Sequence, residues 1–286
     1  MHYPVLLEES LQYLAIRPDG IYLDATAGLG GHTRAIAERL TQGQLISADR
    51  DAESLELARK NTAELQDRVK FVHSPFSGLA VALSQLGVGK LDGLLADLGV
   101  SRFQLTEPER GFSLMADGPV DMRMDRSQGT TAGDLVNFTA EKALADLIFQ
   151  LGEERRARRI ARAIVRARPI RSTAHLARVI EEAAPRTGRL HPATKTFMAL
   201  RLAVNDEQSE LDSLLAQAPK LVKSGGRMVF ITFMSLEDRK VKQSFQQLAR
   251  DGVVRILTKH VVPPSEAEVS ENPASRSAKL RAVEVI

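Results

Sequence analysis

The sequence predicts an α/β fold: a doubly wound parallel sheet interrupted by an all-helical insert. Two observations carry this. Short apolar runs of strand length alternate with helical patterns from residue 21 to residue 98. From Phe103 to Asn205 the alternation stops and helical spacing alone remains, before strand character returns near Gly226.

The first element is Gly20-Ile21-Tyr22-Leu23, an apolar run closed by Asp24, which reads as a buried strand. Asp24-Ala25-Thr26-Ala27-Gly28-Leu29-Gly30-Gly31-His32 follows as a glycine-rich turn, and residues 33–40 have helical spacing through Ile36, Ala37 and Leu40. Glycine lets the backbone approach a ligand closely, and the N–H groups that open a helix face it. Strand, glycine turn and helix in this order therefore make a nucleotide-type cofactor site. The turn reads G-x-G-G, with Thr33 at the last position of the dinucleotide fingerprint, and Asp24 is placed to reach the amino group of a cationic cofactor. Both points favour S-adenosylmethionine over a nicotinamide dinucleotide.

The second strand, 45–49, ends in another acid, Asp49, 21 positions after Gly28. A carboxylate there suits a pair of ribose hydroxyls, because a charged acceptor makes short, strong hydrogen bonds. Its plainer role is to cap the helix that starts at Ala52. Strands at 69–73 and 91–98 complete the first half, with helices at 52–65 and 77–86. A polar, glycine-containing loop at 106–131 leads into helices at 132–151, 154–168, 173–184 and 194–215. A strand at 226–232, a helix at 236–249 and strands at 253–258 and 278–286 close the chain, with 262–277 as a long surface connection. The expected organisation is one discontinuous domain, 1–105 with 206–286, carrying the insert 106–205.

Composition narrows the classes further. With 286 residues, 43% hydrophobic and 26% charged, the chain is an ordinary globular protein with a full core. The absence of cysteine excludes disulfides, thiolate zinc sites and a cysteine nucleophile. No apolar run reaches spanning length and the N-terminus lacks the regions of a signal peptide, so a soluble, cytoplasmic protein without membrane partners is expected. No cluster of histidines and acids has metal-ligand spacing, and no metal is expected.

Net charge is only +3, yet eight arginines fall between Glu153 and Arg171: Arg155, Arg156, Arg158, Arg159, Arg162, Arg166, Arg168 and Arg171. On a helix, Ala157, Ile160, Ala161, Ile164 and Val165 form one face and leave Arg155, Arg158, Arg159, Arg162 and Arg166 on the other. The guanidinium fork binds two phosphate oxygens at once, which makes this stripe a candidate RNA contact. Pairing with Glu153, Glu154, Glu181 and Glu182 would instead make it a solvated face.

Taken together, the motifs closely resemble the bacterial 16S ribosomal RNA (cytosine-N4)-methyltransferases. The likeness runs from His2-Tyr3-Pro4-Val5-Leu6-Leu7-Glu8 through the glycine turn to Asp97-Leu98-Gly99-Val100-Ser101 and Arg110-Gly111-Phe112-Ser113. It continues through Asp117-Gly118-Pro119-Val120-Asp121-Met122-Arg123-Met124, Gly152-Glu153-Glu154, Arg159-Ile160-Ala161 and His191-Pro192-Ala193-Thr194. It closes with Ser235-Leu236-Glu237-Asp238-Arg239, Asn272-Pro273 and Arg276-Ser277-Ala278-Lys279-Leu280-Arg281.

The resemblance implies a Rossmann-like class I S-adenosylmethionine-dependent methyltransferase whose helical insert is the RNA substrate domain. It implies methylation of N4 of a decoding-centre cytidine, position 1402 of 16S rRNA, within the small ribosomal subunit. By position it implies cofactor contacts at Gly30, Gly31, His32, Asp49, Phe76, Asp97 and Gln104. Phe76 follows the third strand and is expected either to pack on adenine or to be a core aromatic. His32 is either a cofactor contact or a helix-start residue with a satisfied ring.

Asp97 ends the fourth strand and is the candidate catalytic group, an acceptor for a hydrogen of the poorly nucleophilic N4. Phe103 or Phe112 is expected to stack on the base. The chain departs from the family at Met234 (usually His), Arg102 (usually Ser), Thr106 (usually Asp) and Ala274 (usually Arg). Arg102 joins the RNA-contact candidates as a phosphate holder. Met234 motivates the alternative of a catalytically impaired RNA-binding assembly factor, and the Gly28–Asp49 spacing that of a nicotinamide oxidoreductase.

Overall fold

The computed structural model describes residues 4–186 and 190–286. His2 and Tyr3, at the head of the first family block, lie outside the described residues. The chain divides into two units, residues 1–99 with 208–286 and residues 100–207.

The first unit is built on a seven-stranded sheet of order β3-β2-β1-β4-β5-β7-β6. Its strands are β1 (Ile21–Asp24), β2 (Gln44–Asp49), β3 (Val69–His73), β4 (Leu91–Asp97), β5 (Val222–Thr232), β6 (Val254–Ile256) and β7 (Lys279–Val285). The first five strands run parallel, while β7 is antiparallel to both β5 and β6. Parallel neighbours require crossovers, and the helical patterns between the runs supply them. These are α2 (Gly31–Ala37), α3 (Ala52–Asn61) and α4 (Leu79–Gln85), preceded in the chain by α1 (Leu7–Leu14). The chain winds outward from β1 to β3 and then returns to place β4 on the other side of β1, so the direction of winding reverses at the β1/β4 pair.

β4 is buried along nearly its whole length, which is why Leu91 to Ala96 reads as an unbroken apolar run bar Asp92 and Gly93. One core layer joins Leu23, Ile46, Leu94, Met228, Phe230 and Phe245. The other joins Tyr22, Ile36, Leu45, Leu95, Ile231 and Leu280, with α1 contributing Leu11 and Leu14.

The second unit is helical: α5 (Arg102–Thr106), α6 (Ala132–Phe138), α7 (Glu141–Gly152), α8 (Ala157–Arg166), α9 (Thr173–Ala183) and α10 (Thr194–Val204). α7 packs against both α8 and α10. Ala157, Ile160, Ala161 and Ile164 of α8 are buried in a core with Leu144, Ile148, Leu176 and Ile180. Ile160 is fully buried. Ile160→Ala is therefore expected to lower unfolding free energy by about 3 kcal/mol, through lost transfer energy plus the residual cavity. Urea titration checks this, and a loss under about 1 kcal/mol would mean the site collapses around the smaller side chain.

Several expected elements are corrected. The helix expected over 132–151 is broken at Thr139 and Ala140, where Arg168 Nε donates to the Val136 carbonyl at 2.8 Å and its Nη2 to that of Thr139. The helix expected over 194–215 is likewise two, α10 and α11 (Glu207–Leu221). At the break Asp206 takes a left-handed φ of 46°. Asn205 there donates to the Met122 carbonyl and accepts from the Met124 N–H, each at 2.7 Å. Both breaks are set by side chains that reach across the unit.

The strand expected over 226–232 begins four residues earlier, at Val222. α12 (Ser235–Arg250) follows it. Within 262–277, expected as irregular, a short helix α13 (Glu266–Glu271) is capped by Ser265. α1 and α5 have no counterpart among the expected elements. Each is short, and α1 is bounded by left-handed residues, Leu6 and Ala15.

Candidate active site

Three acids end three adjacent strands. Asp24 closes β1, Asp49 closes β2 and Asp97 closes β4, all at the carboxyl edge where the winding reverses. In doubly wound sheets this edge is where ligands bind, because the loops leaving β1 and β4 diverge and open a crevice.

The glycine turn lies on this edge. Gly30 is the N-cap of α2 with φ of 87°, and a Cβ there would lie 3.2 Å from the backbone of Ala58, so a side chain would be strained by the conformation and crowded by α3. A Cβ on Gly31 would meet the ring of Pro4 at 3.0 Å. The turn is thus packed between α3 and the N-terminal segment.

Asp24 does not have the role expected of it. It is fully buried, with Oδ1 accepting from the Thr26 N–H at 3.1 Å and Oδ2 from the Thr33 hydroxyl at 2.7 Å. The Thr33 hydroxyl also meets that of Ser47 at 2.7 Å. Burial raises the Asp24 carboxyl to about 6, against the lowering effect of the threonine hydrogen bonds. Instead of facing a ligand, Asp24 ties the turn to the sheet: Thr26 Oγ1, beside it, accepts from the Asp97 N–H at 2.7 Å. Sequence reasoning misses Thr26, Thr33 and Ser47. Ser47 alone gives a signal there, as a hydroxyl inside the apolar run of β2.

Asp49 is partly exposed and does not cap α3; Asp51 does, accepting from the N–H groups of Glu53 and Ser54. Asp49 instead accepts from Gly28 N–H at 2.8 Å and from Asp51 N–H at 2.9 Å. Each oxygen keeps a lone pair for a further donor. Burial raises its carboxyl to about 6, opposed by those two N–H donors and reinforced by the charges of Asp51 and Asp24.

Asp97 combines a side chain that is 24% exposed with an Oδ1 atom that is sealed from solvent and has no hydrogen-bond partner among the described residues. Its carboxyl is pushed well above the usual carboxylate range, first by burial and then by the charges of Asp24, Glu237 and Glu268. His32 is the nearest counterpart, with Nδ1 3.7 Å from Asp97 Oδ2. The His32 ring is buried, and its Nε2 lies 3.1 Å from the Val5 carbonyl.

Phe76 is partly buried in the first core layer and lies just beyond β3, whose last residue pairs with Asp49. Its loop is pinned by α11: Gln217 Nε2 donates to the Phe76 carbonyl at 3.0 Å, and Ser77 N–H to Glu210 at 2.9 Å. Gln104 belongs to the second unit, where it is buried and completes a capping box with Ser101 at the start of α5. The edge therefore brings together Gly30, Gly31, His32, Asp49, Phe76 and Asp97.

Met234 is the N-cap of α12, and its N–H donates to Glu237 at 3.2 Å, a main-chain contact that does not depend on the side chain. Glu237, a buried acid facing Asp97, escapes sequence reasoning because the two are more than a hundred residues apart.

In the second unit Arg102, Arg155, Arg158, Arg159, Arg162 and Arg166 are all exposed. Arg162 pairs with Glu141 at 3.4 Å, whereas Arg102, Arg155, Arg158, Arg159 and Arg166 form no ion pair among the described residues. Of the acids expected to neutralise the stripe, Glu154 is engaged by Arg156 at 3.2 Å. Phe112 is buried and Phe103 half-buried, and each has the guanidinium of Arg110 over its ring, at 5.9 and 5.6 Å.

These features fit S-adenosylmethionine. The group is cationic at sulfur and carries two ribose hydroxyls. The edge offers side-chain-free backbone at Gly30 and Gly31, an acceptor with spare lone pairs at Asp49 and an underpartnered acid at Asp97. Among the described residues no group of three histidines and acids is arranged to hold a metal, and no helix is long and apolar enough to cross a membrane.

Comparison with known proteins agrees. The chain is 66% identical over 285 residues to the ribosomal RNA small subunit methyltransferase H of Solibacter usitatus, covering 100% of each. It is 50% identical to the protein of the same name from Acidobacterium capsulatum, covering 99% of this chain and 98% of that one. The fold is similar to that of a crystallised rRNA methylase from Clostridium thermocellum, with a TM-score of 0.52, 11% identity and full coverage of both chains, a likeness that bears on the fold alone. A model of the MraW methylase family matches residues 1–286, and the chain belongs to that family.

Proposed function

We propose that this protein transfers a methyl group from S-adenosylmethionine to N4 of a decoding-centre cytidine, position 1402 of 16S rRNA, acting on the small ribosomal subunit in the cytoplasm. The observation that carries the reading is Asp97: a basic, poorly solvated carboxylate at the strand edge beside a glycine turn. The names of the full-length relatives supply the substrate.

When bound, S-adenosylmethionine supplies a methyl made electrophilic by the sulfonium. Gly30 and Gly31 admit its methionine portion, with His32 beside them, Asp49 accepts from the ribose and Phe76 packs on the adenine. Gln104 completes the contacts implied by family position. The N4 lone pair of cytosine is delocalised into the ring. Asp97, accepting an N4 hydrogen, keeps that pair available for attack, and a base of raised pKa suits the task. Phe103 and Phe112, flanking Arg110, offer aromatic faces for an unpaired base. The arginines of α8, with Arg155 and Arg102, hold phosphates of the structured RNA.

The test is direct. Purified protein is mixed with methyl-labelled S-adenosylmethionine and small subunits lacking the mark, and the RNA is digested to nucleosides. N4-methylcytidine from one position is expected. Labelled cofactor bound without label in RNA would sink the reading and favour an impaired RNA-binding factor.

Cofactor affinity should also depend on pH. Asp24 and Asp49 titrate near 6 in the free protein, and hydrogen bonds from ribose hydroxyls favour the ionised Asp49. Ligand binding therefore releases protons below that pH. Affinity is expected to rise about tenfold from pH 5 to pH 7 and then level off, a change of one unit in pKa being one decade. Calorimetry in buffers of different ionisation enthalpy checks both the affinity and the proton release.

A further inference from the structure

We propose that His32, fixed in one tautomer by the Val5 carbonyl, is a positioning residue for methyl transfer that holds the proton Asp97 takes from cytosine N4. The inference deepens the reading above and rests on it.

The geometry determines the tautomer. A carbonyl oxygen only accepts, so the 3.1 Å contact between His32 Nε2 and the Val5 carbonyl places a hydrogen on Nε2. In the neutral ring Nδ1 then carries no hydrogen, and Nδ1 is the atom that faces Asp97 Oδ2 at 3.7 Å. Two acceptors face each other unless a proton lies between them. The arrangement thus suits a protonated Asp97, which is the form that carboxylate reaches on removing a proton from N4. Contacts of this kind are often long without substrate and tighten in the reacting complex.

The backbone on both sides of the contact is anchored. His32 lies on the first turn of α2, where a Cβ on the preceding Gly31 would press on Pro4 at 3.0 Å. On the other side Val5 is buried, and the next residue, Leu6, is anchored by its N–H donating to Glu268 at 2.8 Å. With His32 only 5% exposed, turning the ring over to exchange its two nitrogens would require the packing around it to open. The acids facing Asp97 are Asp24 from the end of β1, Glu237 from α12 and Glu268 from α13, while His32 faces it from α2. Burial first, and then these three carboxylates, make a proton on Asp97 favourable, and Nδ1 of His32 is the acceptor that faces it.

N4 forms a bond to the methyl carbon as the carbon–sulfur bond breaks, and that electron pair leaves with sulfur. One N4 proton passes to the Asp97 carboxylate, and the new hydroxyl is held by the lone pair of His32 Nδ1. The proton then leaves to water, restoring ionised Asp97 and neutral His32.

His32→Gln separates this role from a merely structural one, because glutamine keeps an N–H for the Val5 carbonyl but offers only an amide oxygen to Asp97. Single-turnover methyl transfer to small subunits is measured against pH, with cofactor affinity measured in parallel. At saturating cofactor, with any loss of affinity read separately, the expected result is a plateau rate about tenfold lower and an acidic limb displaced to lower pH by roughly half a unit, since the imidazole lone pair no longer stabilises protonated Asp97. Wild-type rate and limb in the variant, or a lower rate with an unmoved limb, would overturn the proposal.

Nitrogen-15 NMR of the wild-type His32 ring, with no substrate, is a second readout. A hydrogen on Nε2 and an Nδ1 resonance that moves in Asp97→Asn are expected, and a hydrogen on Nδ1 overturns the pairing. If wild type makes no N4-methylcytidine, the functional reading fails, and the NMR result still decides the His32–Asp97 pair.

Discussion

Asp97→Asn is expected to slow single-turnover methyl transfer by about a hundredfold or more, the usual contribution of a positioned proton acceptor, while making the ligand-free protein more stable. Asparagine matches aspartate in shape and retains the backbone bond from the residue 97 N–H to Thr26, but it cannot take a proton. The stability effect follows from the raised pKa. A carboxyl with a raised folded-state pKa favours folding while it is protonated. That contribution declines as pH rises from the ordinary carboxylate range through the raised value, above which the ionised group costs stability. Removing the charge from among Asp24, Glu237 and Glu268 should therefore raise the midpoint of thermal unfolding, and more so at pH 8 than at pH 5. Gain of stability with loss of rate marks a group retained for chemistry at the expense of the fold. Unchanged turnover with intact cofactor affinity would remove Asp97 from the reaction.

Replacing Arg155, Arg158, Arg159 and Arg166 by Gln is expected to weaken binding of small subunits roughly a hundredfold at low salt, with little change in the rate of bound complexes. These side chains form no ion pair among the described residues, so the substitutions break none of the fold's charge pairs there. For every phosphate no longer neutralised, the slope of log affinity against log salt should fall by about 0.7. The apolar face of α8 stays intact, so the circular dichroism spectrum should not change. An unaltered salt slope would show that α8 is only a solvated face.

The strands are legible because each is an apolar run of strand length with an acid or turn at its end, and β1, β3 and β4 begin and end where the pattern does, to within one residue. The acids at strand ends are legible for the same reason. The arginine stripe is visible because helical periodicity alone sorts α8 into two faces. What escapes is whatever depends on partners distant in sequence. Asp24 resembles a ligand contact until Thr26 and Thr33 are seen to enclose it. The helix over 194–215 reads as continuous because its break comes from Asn205 bonding the main chain near residue 123.

By itself, then, the order of residues determined the parallel strands, a helical insert and a glycine turn between acids, since periodicity and turn chemistry are local properties of the chain, but not that β7 enters the sheet antiparallel. Tertiary structure decided which acid is sealed and which is half-open. It also decided which nitrogen of His32 faces Asp97, and that Glu237 and Glu268 come close enough to change the basicity of Asp97. Desolvation and Coulomb interaction depend on distance through space, and no spacing along the chain encodes that distance.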